Sequence, residues 1–415
     1  MVQPAPKPLR TEMTPTFQEA IATVKEKIHV RVPGAETLPL EQACGRVLAQ
    51  QAKADRDYPP FHRSTRDGFA VRSADLASSP AVLECVGEVR AGTHFEGKIQ
   101  AGECVSIMTG APLPTGADAV VMVERTRQEG SRVESLESVS AFENVVRQGS
   151  EAPAGSIVLE RGRKLGAAEV ALLASIGAAQ VEVFRPPAVR ILTTGDELVA
   201  VDQTPPWFQI RNSNTLSLAA QVAAAGGIPK VLGVAPDRKD RLKELIQQGL
   251  RADLLILSGG VSVGKYDRVE EALEELGAKF YFRSVAIRPG HPVVFGRVGE
   301  TFFFGLPGNP VSAYVTFEVF VRPALGVLAG SEFSGALFLG ACLAKPLQHK
   351  PGFTRFVPAR VERVDGVPTV SIVGWQGSGD LRGLAEANCF VVVHPEQASL
   401  DAGEWVDVML KESGD

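Results

Sequence analysis

The stretch LLILSGGVSVGKYDRVEEAL, residues 254–273, reads as a buried strand that opens into a glycine loop and closes on a helix. Leu254–Leu257 is a continuous apolar run, the length of a strand covered on both faces. Ser258, Gly259, Gly260, Val261, Ser262 and Gly264 then form a loop rich in small residues. Such a loop lets backbone N–H groups converge on an anion. Lys265 adds a point charge. Asp267, with Glu270 three positions on, matches a helix cap, and apolar residues at helical spacing follow.

Outward from this stretch the pattern repeats. VRILTT, IPKVLGV, DLLILSGG and TFFFGLPG read as strands. TLSLAAQVAAAG, DRLKELIQQGL, RVEEALEELG and PVSAYVTFEVFV read as the helices between and after them, with Asn214 as the cap of the first and Gly226 as its stop. The alternation predicts a parallel α/β sheet with helices on both faces over residues 185–328. Ligands of such sheets bind beyond the carboxyl ends of the strands. TTGDEL, SGGVSVGKYD and GLPGNP all fall there.

Before this region, Arg185-Pro186-Pro187 marks a boundary. Upstream of it LGAAEVALLASIG is a helix stopped by Gly177, followed by the strand AAQVEVF. The first helix is TPTFQEAIATVKEKI: Thr16 and Glu19 make a capping box, and Phe17, Ile21, Val24 and Ile28 share a face. Residues 51–149 are mixed strand and turn, with VSIMT and AVVMVE flanking the loop GAPLPTGAD and a polar hairpin or loop at GSRVESLESVS. From 329 to 415 short strands separated by turns predict a small β-barrel or sandwich.

The formal net charge is -5 and no Lys/Arg block occurs, so nucleic acid and anionic membrane surfaces are not expected partners. The five cysteines are odd in number and form no C-x-x-C pair, against a zinc site or a disulfide framework. MVQPAPKPLR has no apolar signal core, and no unbroken apolar run of about 18 residues appears. A cytoplasmic protein is expected.

Several loops carry residues suited to chemistry. Asp67-Gly68, next to Arg63 and Arg66, is either a hairpin turn or a carboxylate at a cleft mouth. Thr109 follows a strand in a rigid Pro/Gly loop. Asp196 and Glu197 either hold a hard cation such as Mg²⁺ or cap a helix start. Arg288 and His291 flank a stiff Pro-Gly turn, and Arg suits bidentate contact with an oxyanion. Asn309 and Pro310 fit N-cap and N1. No Ser–His–Asp or Cys–His pattern is evident, so covalent catalysis is not expected. The sum is a protein for an anionic, phosphate-bearing ligand with Mg²⁺.

The strings STRDGFAV, MTGAPLPTGADAVV, TTGDEL, NSN, LSGGVSVGKYD, IRPGHPVVFG, GLPGNPVSA and QGSGDLRGLAEANCF, in this order, span Ser64 to Phe390. Each is weak alone. Together they resemble the MoeA family, whose eukaryotic counterpart is the E domain of gephyrin. The resemblance implies Mg²⁺-dependent insertion of molybdate into adenylylated molybdopterin with release of AMP. It implies a multidomain α/β fold in four parts: a discontinuous elongated domain (12–50 with 150–184), a mixed α/β second domain (51–149), a parallel α/β domain like the pterin-adenylylating protein (185–328) and a C-terminal β-barrel (329–415). A homodimer is implied, with the active site between the α/β domain and the neighbouring subunit's second domain. Transient contact with the pterin-adenylylating protein and with molybdoenzyme chaperones would follow.

Carried over by motif, Asp67, Thr109, Glu197, Asp237 and Asp267 would be catalytic, with Glu197 and Asp267 on the metal. Ser258, Gly259, Gly260, Val261, Ser262, Gly264, Arg288, His291, Pro307, Pro310 and Ser378 would bind the pterin nucleotide and molybdate. Three positions depart from the family pattern. Lys265 stands where an acid is frequent; His291 stands where a second lysine is common, which makes that cation depend on pH. Phe353 follows Gly352 where an arginine is frequent, which removes an anion contact from the last domain. Two alternatives are a pterin adenylyltransferase and a non-catalytic pterin-binding scaffold.

Overall fold

The computed structural model describes residues 14–28, 33–236, 238–260 and 268–411. Asp237, Val261, Ser262, Gly264, Lys265 and Asp267 therefore lie outside the described residues. The chain divides into two compact units. One takes the described residues of 1–36, Gly45–Ala49 and those from Val183 on; the other takes Thr37–Cys44 and Gln50–Glu182.

In the first unit a six-stranded sheet runs Ile228–Ala235, Ala188–Thr194, Leu254–Ser258, Thr301–Leu306, Val294–Val298, Lys279–Phe282. The first three pairings are parallel and the last two antiparallel, because Val294–Val298 alone runs against the rest, so the sheet is mixed where a parallel one was expected. The reason is local. Val298 pairs with Thr301 across the two residues Gly299 and Glu300, and so short a connection permits only an antiparallel return. Alternate side chains enter two cores. Leu254 and Ile256, with Phe302 and Phe304, face one; Leu255 and Leu257, with Phe303, face the other. Burial on both faces is why these strands read as unbroken apolar runs.

Helix Ser213–Ala224 is capped by Asn212, whose side chain accepts from Thr215 N–H at 3.2 Å. Asn214, the expected cap, lies inside the helix and is buried. Its side chain is used elsewhere, as described below. Helix Phe17–Ile28 has the predicted capping box: Thr16 N–H donates to Glu19 Oε2 (2.8 Å) and Glu19 N–H to Thr16 Oγ1 (3.3 Å). Its apolar face joins the α/β core, with Phe17 edge-on to Phe320 and Phe356.

Pro310–Leu328 is long and apolar enough by composition to cross a membrane, yet it is packed inside the same core. A π-helical turn, Phe317–Val321, separates helix Pro310–Thr316 from Arg322–Leu328. Pro323 supplies no N–H and crowds the carbonyl four residues before it, which this wider turn relieves. The turn carries Glu318, buried at 4% exposure, bound by Arg322 Nε (2.5 Å) and Nη2 (3.1 Å) and by Gln221 Nε2 (2.6 Å). Removing one partner of a buried ion pair strands the other charge. Glu318→Ala is expected to destabilise this unit by about 3–5 kcal/mol, read as a lower denaturant midpoint. A loss below about 1 kcal/mol, the worth of an exposed pair, would contradict it.

The C-terminal strands close into a small barrel in the order Thr354–Val364, Val367–Ile372, Phe338–Leu343, Trp405–Leu410, Cys389–Val393, the last pairing back to the first. The two-residue strand Ile287–Arg288 joins its edge, parallel to Thr354 and Arg355.

The second unit holds a six-stranded sheet: Ala119–Met122, Gly68–Val71, Glu103–Ile107, Ala81–Val89, Arg132–Ser135, Thr126–Glu129. The last two form a polar hairpin that begins earlier than expected: its first strand, Thr126–Glu129, precedes GSRVESLESVS, and only Arg132–Ser135 falls within that string. The chain leaves and returns beside this sheet: Ala52–Lys53 pairs with Ile157–Leu159, and Leu40 N–H donates to Ala179 O. Helix Ala167–Ser175 is closed by Gly177 at φ 79°.

Candidate active site

In the first unit the carboxyl ends of three parallel strands bring Thr194-Gly195, Ser258-Gly259-Gly260 and Leu306–Asn309 side by side. Gly259 N–H donates to Leu306 O at 3.1 Å. Gly259 and Gly260 have φ of 84° and 65°. A Cβ on Gly259 would stand 2.5 Å from the Thr194 carbonyl oxygen; one on Gly260 would stand 2.7 Å from Thr194 Oγ1 and 2.8 Å from Val269 Cγ2. Only glycine fits either place. The buried Asn214 ties the loops together, donating to Ser258 Oγ (3.0 Å) and Gly308 O (2.8 Å). Ser258 Oγ donates in turn to the Pro307 carbonyl at 3.4 Å.

Glu197 folds back over Gly195, so that a Cβ on that glycine would lie 2.6 Å from both carboxylate oxygens. No helix follows. Leu198–Val199 pairs with Ile210–Arg211, and Ile210 N–H donates to Glu197 O. Glu197 is therefore not a first-turn helix acid, which removes the structural reason for it considered above. Among the described residues no three His, Cys, Asp or Glu side chains converge as a metal cage. Mg²⁺ needs no such cage, since it takes one or two carboxylates and fills the rest with phosphate oxygens and waters.

Beside the rim lies a cavity of about 300 Å³ whose lining includes Arg288, His291, Ser312, Arg355, Trp375 and Ser378. Gly290, at φ 112°, lets the Arg-Pro-Gly-His turn press onto helix Pro310–Thr316; a Cβ there would meet Thr316 Cγ2 at 2.5 Å. His291 Nδ1 is 2.7 Å from the Val285 carbonyl, so that nitrogen carries a proton and Nε2 is the one left for a ligand. The Arg288 guanidinium lies 4.5 Å over the Phe353 ring, and His291 meets that ring edge-on. Ser378 links cavity to rim: its Oγ accepts from Asn309 Nδ2 (3.0 Å) and its carbonyl from Val311 N–H (3.0 Å). Asn309 and Pro310 occupy the predicted N-cap and N1 positions, but the Asn309 side chain serves Ser378 rather than the helix.

In the second unit Asp67 accepts from Thr109 N–H at 2.6 Å and Thr109 Oγ1 at 2.9 Å. These bonds, the backbone one foremost, hold its carboxyl below the usual aspartate range. Asp67-Gly68 is not a hairpin turn. Gly68 begins a strand paired on both sides, and a Cβ there would sit 1.9 Å from the Val121 carbonyl oxygen. The glycine is required by close approach, which leaves Asp67 exposed at the strand end.

Thus Ser258, Gly259, Gly260, Pro307 and Pro310 gather on the rim with Glu197, and Arg288, His291 and Ser378 in the adjoining cavity. Asp67 and Thr109 pair in the other unit. Sequence reasoning missed Asn214 as a loop tie, and Arg355 and Trp375 as cavity residues. No motif marks Arg355, which enters the cavity only because strand Thr354–Val364 pairs with Ile287–Arg288.

Three family models match the chain: MoeA N-terminal region (domain I and II) over residues 15–177, Probable molybdopterin binding domain over 190–326, and MoeA C-terminal region (domain IV) over 341–411. The chain is 36% identical over 397 residues to a molybdopterin molybdenumtransferase of Bacillus subtilis, covering 93% of this chain and 92% of that one. It is 37% identical over 384 residues to one of Nostoc sp., covering 90% and 88%. A molybdopterin biosynthesis MoeA protein of Pyrococcus horikoshii superposes with a TM-score of 0.81 at 27% identity, over 96% of this chain and 100% of that one.

Proposed function

The chain belongs to the MoeA family and is a molybdopterin molybdenumtransferase of molybdenum cofactor biosynthesis, and from that premise we propose how its residues divide the work. Adenylylated molybdopterin and molybdate are the substrates. The phosphates of the pterin nucleotide lie on the rim of Ser258, Gly259, Gly260, Pro307 and Pro310. Pro307 and Pro310 carry no N–H and the Gly259 N–H is held by Leu306 O, so the backbone donor this rim offers an anionic oxygen is that of Gly260, which bears no side chain to cover it. Molybdate lies in the adjoining cavity, facing Arg288, His291 and Ser378. The single observation that carries this reading is the Leu-Pro-Gly-Asn-Pro loop, which lines the rim with Pro307 and grips Ser378 of the cavity through Asn309. Two anion sites on one loop suit a reaction that joins two anionic substrates.

Glu197, with Asp267, would hold Mg²⁺, which supplies charge neutralisation at the phosphoanhydride. Asp67, oriented by Thr109, and Asp237 take the remaining catalytic roles. In the reaction a P–O bond of the phosphoanhydride breaks, an oxygen nucleophile replaces it, and AMP leaves. Molybdenum ends on the dithiolene sulfurs of the pterin itself, so no protein thiolate is required. Cys104 and Cys389 are indeed poor thiolates, each buried and pushed up to about 12 by desolvation. The division into four domains, a homodimeric state, a cytoplasmic location and transient contact with the pterin-adenylylating protein and molybdoenzyme chaperones complete the proposal.

The test is AMP release from adenylylated molybdopterin with Mg²⁺, with and without molybdate. Release that requires molybdate, together with metal-loaded pterin, is the expected result. Binding without release under any oxyanion would overturn the assignment of these residues to a working site.

A further inference from the structure

The cavity beside the rim contains a second guanidinium that no motif supplies. Strand Ile287–Arg288 lies parallel to the barrel strand Thr354–Val364, with Arg288 in register with Arg355. Residues in register on adjacent strands point from the same face, so two cations stand side by side. Like charges so placed repel, and proteins ordinarily relieve the repulsion with a carboxylate. Here no Asp or Glu lines the cavity. Among the described residues neither arginine has an ion-pair partner, and neither guanidinium donates a hydrogen bond to protein. Arg355 Nε is buried with no acceptor at all. The Arg288 guanidinium lies 4.5 Å from the Phe353 ring centroid, a contact that uses none of its N–H groups. Serine hydroxyls at Ser312 and Ser378 add neutral donors to the lining. Arg288 is exposed and Arg355 half-buried, but the Arg355 Nε is itself shut off from solvent, and a bound anion would give it the acceptor and the pair the counter-charge that the lining lacks.

We infer that Arg355 is an oxyanion-binding residue, forming with Arg288 a two-guanidinium clamp for a tetrahedral dianion in this cavity. The inference rests on the assignment of this cavity to molybdate. It also resolves the departure at position 353. The barrel's cation is carried two residues later, at the start of strand Thr354–Val364, and Phe353, just before that strand, serves instead as the ring against which Arg288 lies. Two planar forks can grip a tetrahedral dianion by charge-assisted pairs, a geometry a lysine cannot reproduce.

The experiment titrates sodium molybdate alone into the full-length chain by calorimetry, with thermal unfolding measured in parallel. Arg355→Gln is expected to weaken molybdate binding by about tenfold or more. In the insertion assay the same variant should raise KM for molybdate and leave KM for adenylylated molybdopterin unchanged, a split that a merely structural residue would not produce. Arg355→Lys should recover part of the affinity. Arg355→Met, which keeps the buried stem, replaces the Gln variant if that one unfolds. Normal molybdate affinity in the folded Arg355 variants, with weakened binding in Arg288→Gln, overturns the clamp and leaves the cavity as the oxyanion site. Normal affinity in both Arg288 and Arg355 variants overturns the clamp and the cavity assignment together.

Discussion

Asp67→Asn is expected to lower the rate of molybdenum insertion by about a hundredfold or more and to leave the unfolding transition almost unchanged. The two halves of this expectation have separate causes. Asp67 is exposed, so the substitution opens no cavity and leaves no buried group unpaired. Asparagine retains an oxygen that accepts from Thr109 N–H and Oγ1, so the side chain stays where it is. What it loses is the negative charge. The substitution therefore separates charge from position.

The acid side of the pH profile follows from the same geometry. Thr109 N–H, and next its hydroxyl, hold the Asp67 carboxyl below its ordinary 3.8 in the folded protein. A depressed carboxyl contributes stability that is present above the unfolded value and is lost as pH falls through the folded one. Asp67 should thus be fully ionised through the neutral and mildly acid range, and any activity loss above about pH 5 must come from another group. A pH–rate series on wild type and Asp67→Asn measures both effects. Wild-type rates in the variant would remove Asp67 from the catalytic set.

Gly259→Ala is expected to abolish tight binding of the pterin nucleotide and to destabilise the first unit. At φ 84° a side chain costs about 1–3 kcal/mol in backbone strain alone. The added Cβ would also stand 2.5 Å from the carbonyl oxygen of Thr194. That atom is backbone at the end of a central strand and has little room to yield. The loop must move instead, and with it the Gly259 N–H bond to Leu306 O that sets the spacing of the rim. Gly226→Ala is the matched control. It has a similar φ of 81°, and nothing lies within 4 Å of its Cβ position. The difference between the two variants, in denaturant midpoint and in affinity for adenylylated molybdopterin, isolates the collision from the strain. Equal affinities would mean that the rim does not hold the nucleotide.

Several features of this protein were settled by its sequence because their causes are local. The Thr16–Glu19 capping box, the helix stops at Gly177 and Gly226 and the unbroken apolar strand Leu254–Ser258 each depend on residues within one or two turns of chain. The eight ordered motifs behave alike, since a glycine loop at a strand end is legible wherever it occurs. Other features depend on which segments meet. Asn214 stands next to a proper cap and has cap chemistry, yet packing buries it against Ser258 and Gly308. Val294–Val298 shares its apolar content with a parallel strand, and only the two-residue return at Gly299-Glu300 sets its direction. Asp67 with Thr109, and Arg288 with Arg355, become partners only when distant strands pair in one register. Periodicity tells which face a side chain takes, but not which strand lies beside it. That choice belongs to the tertiary structure, where burial of two cores selects one register among many of similar local quality.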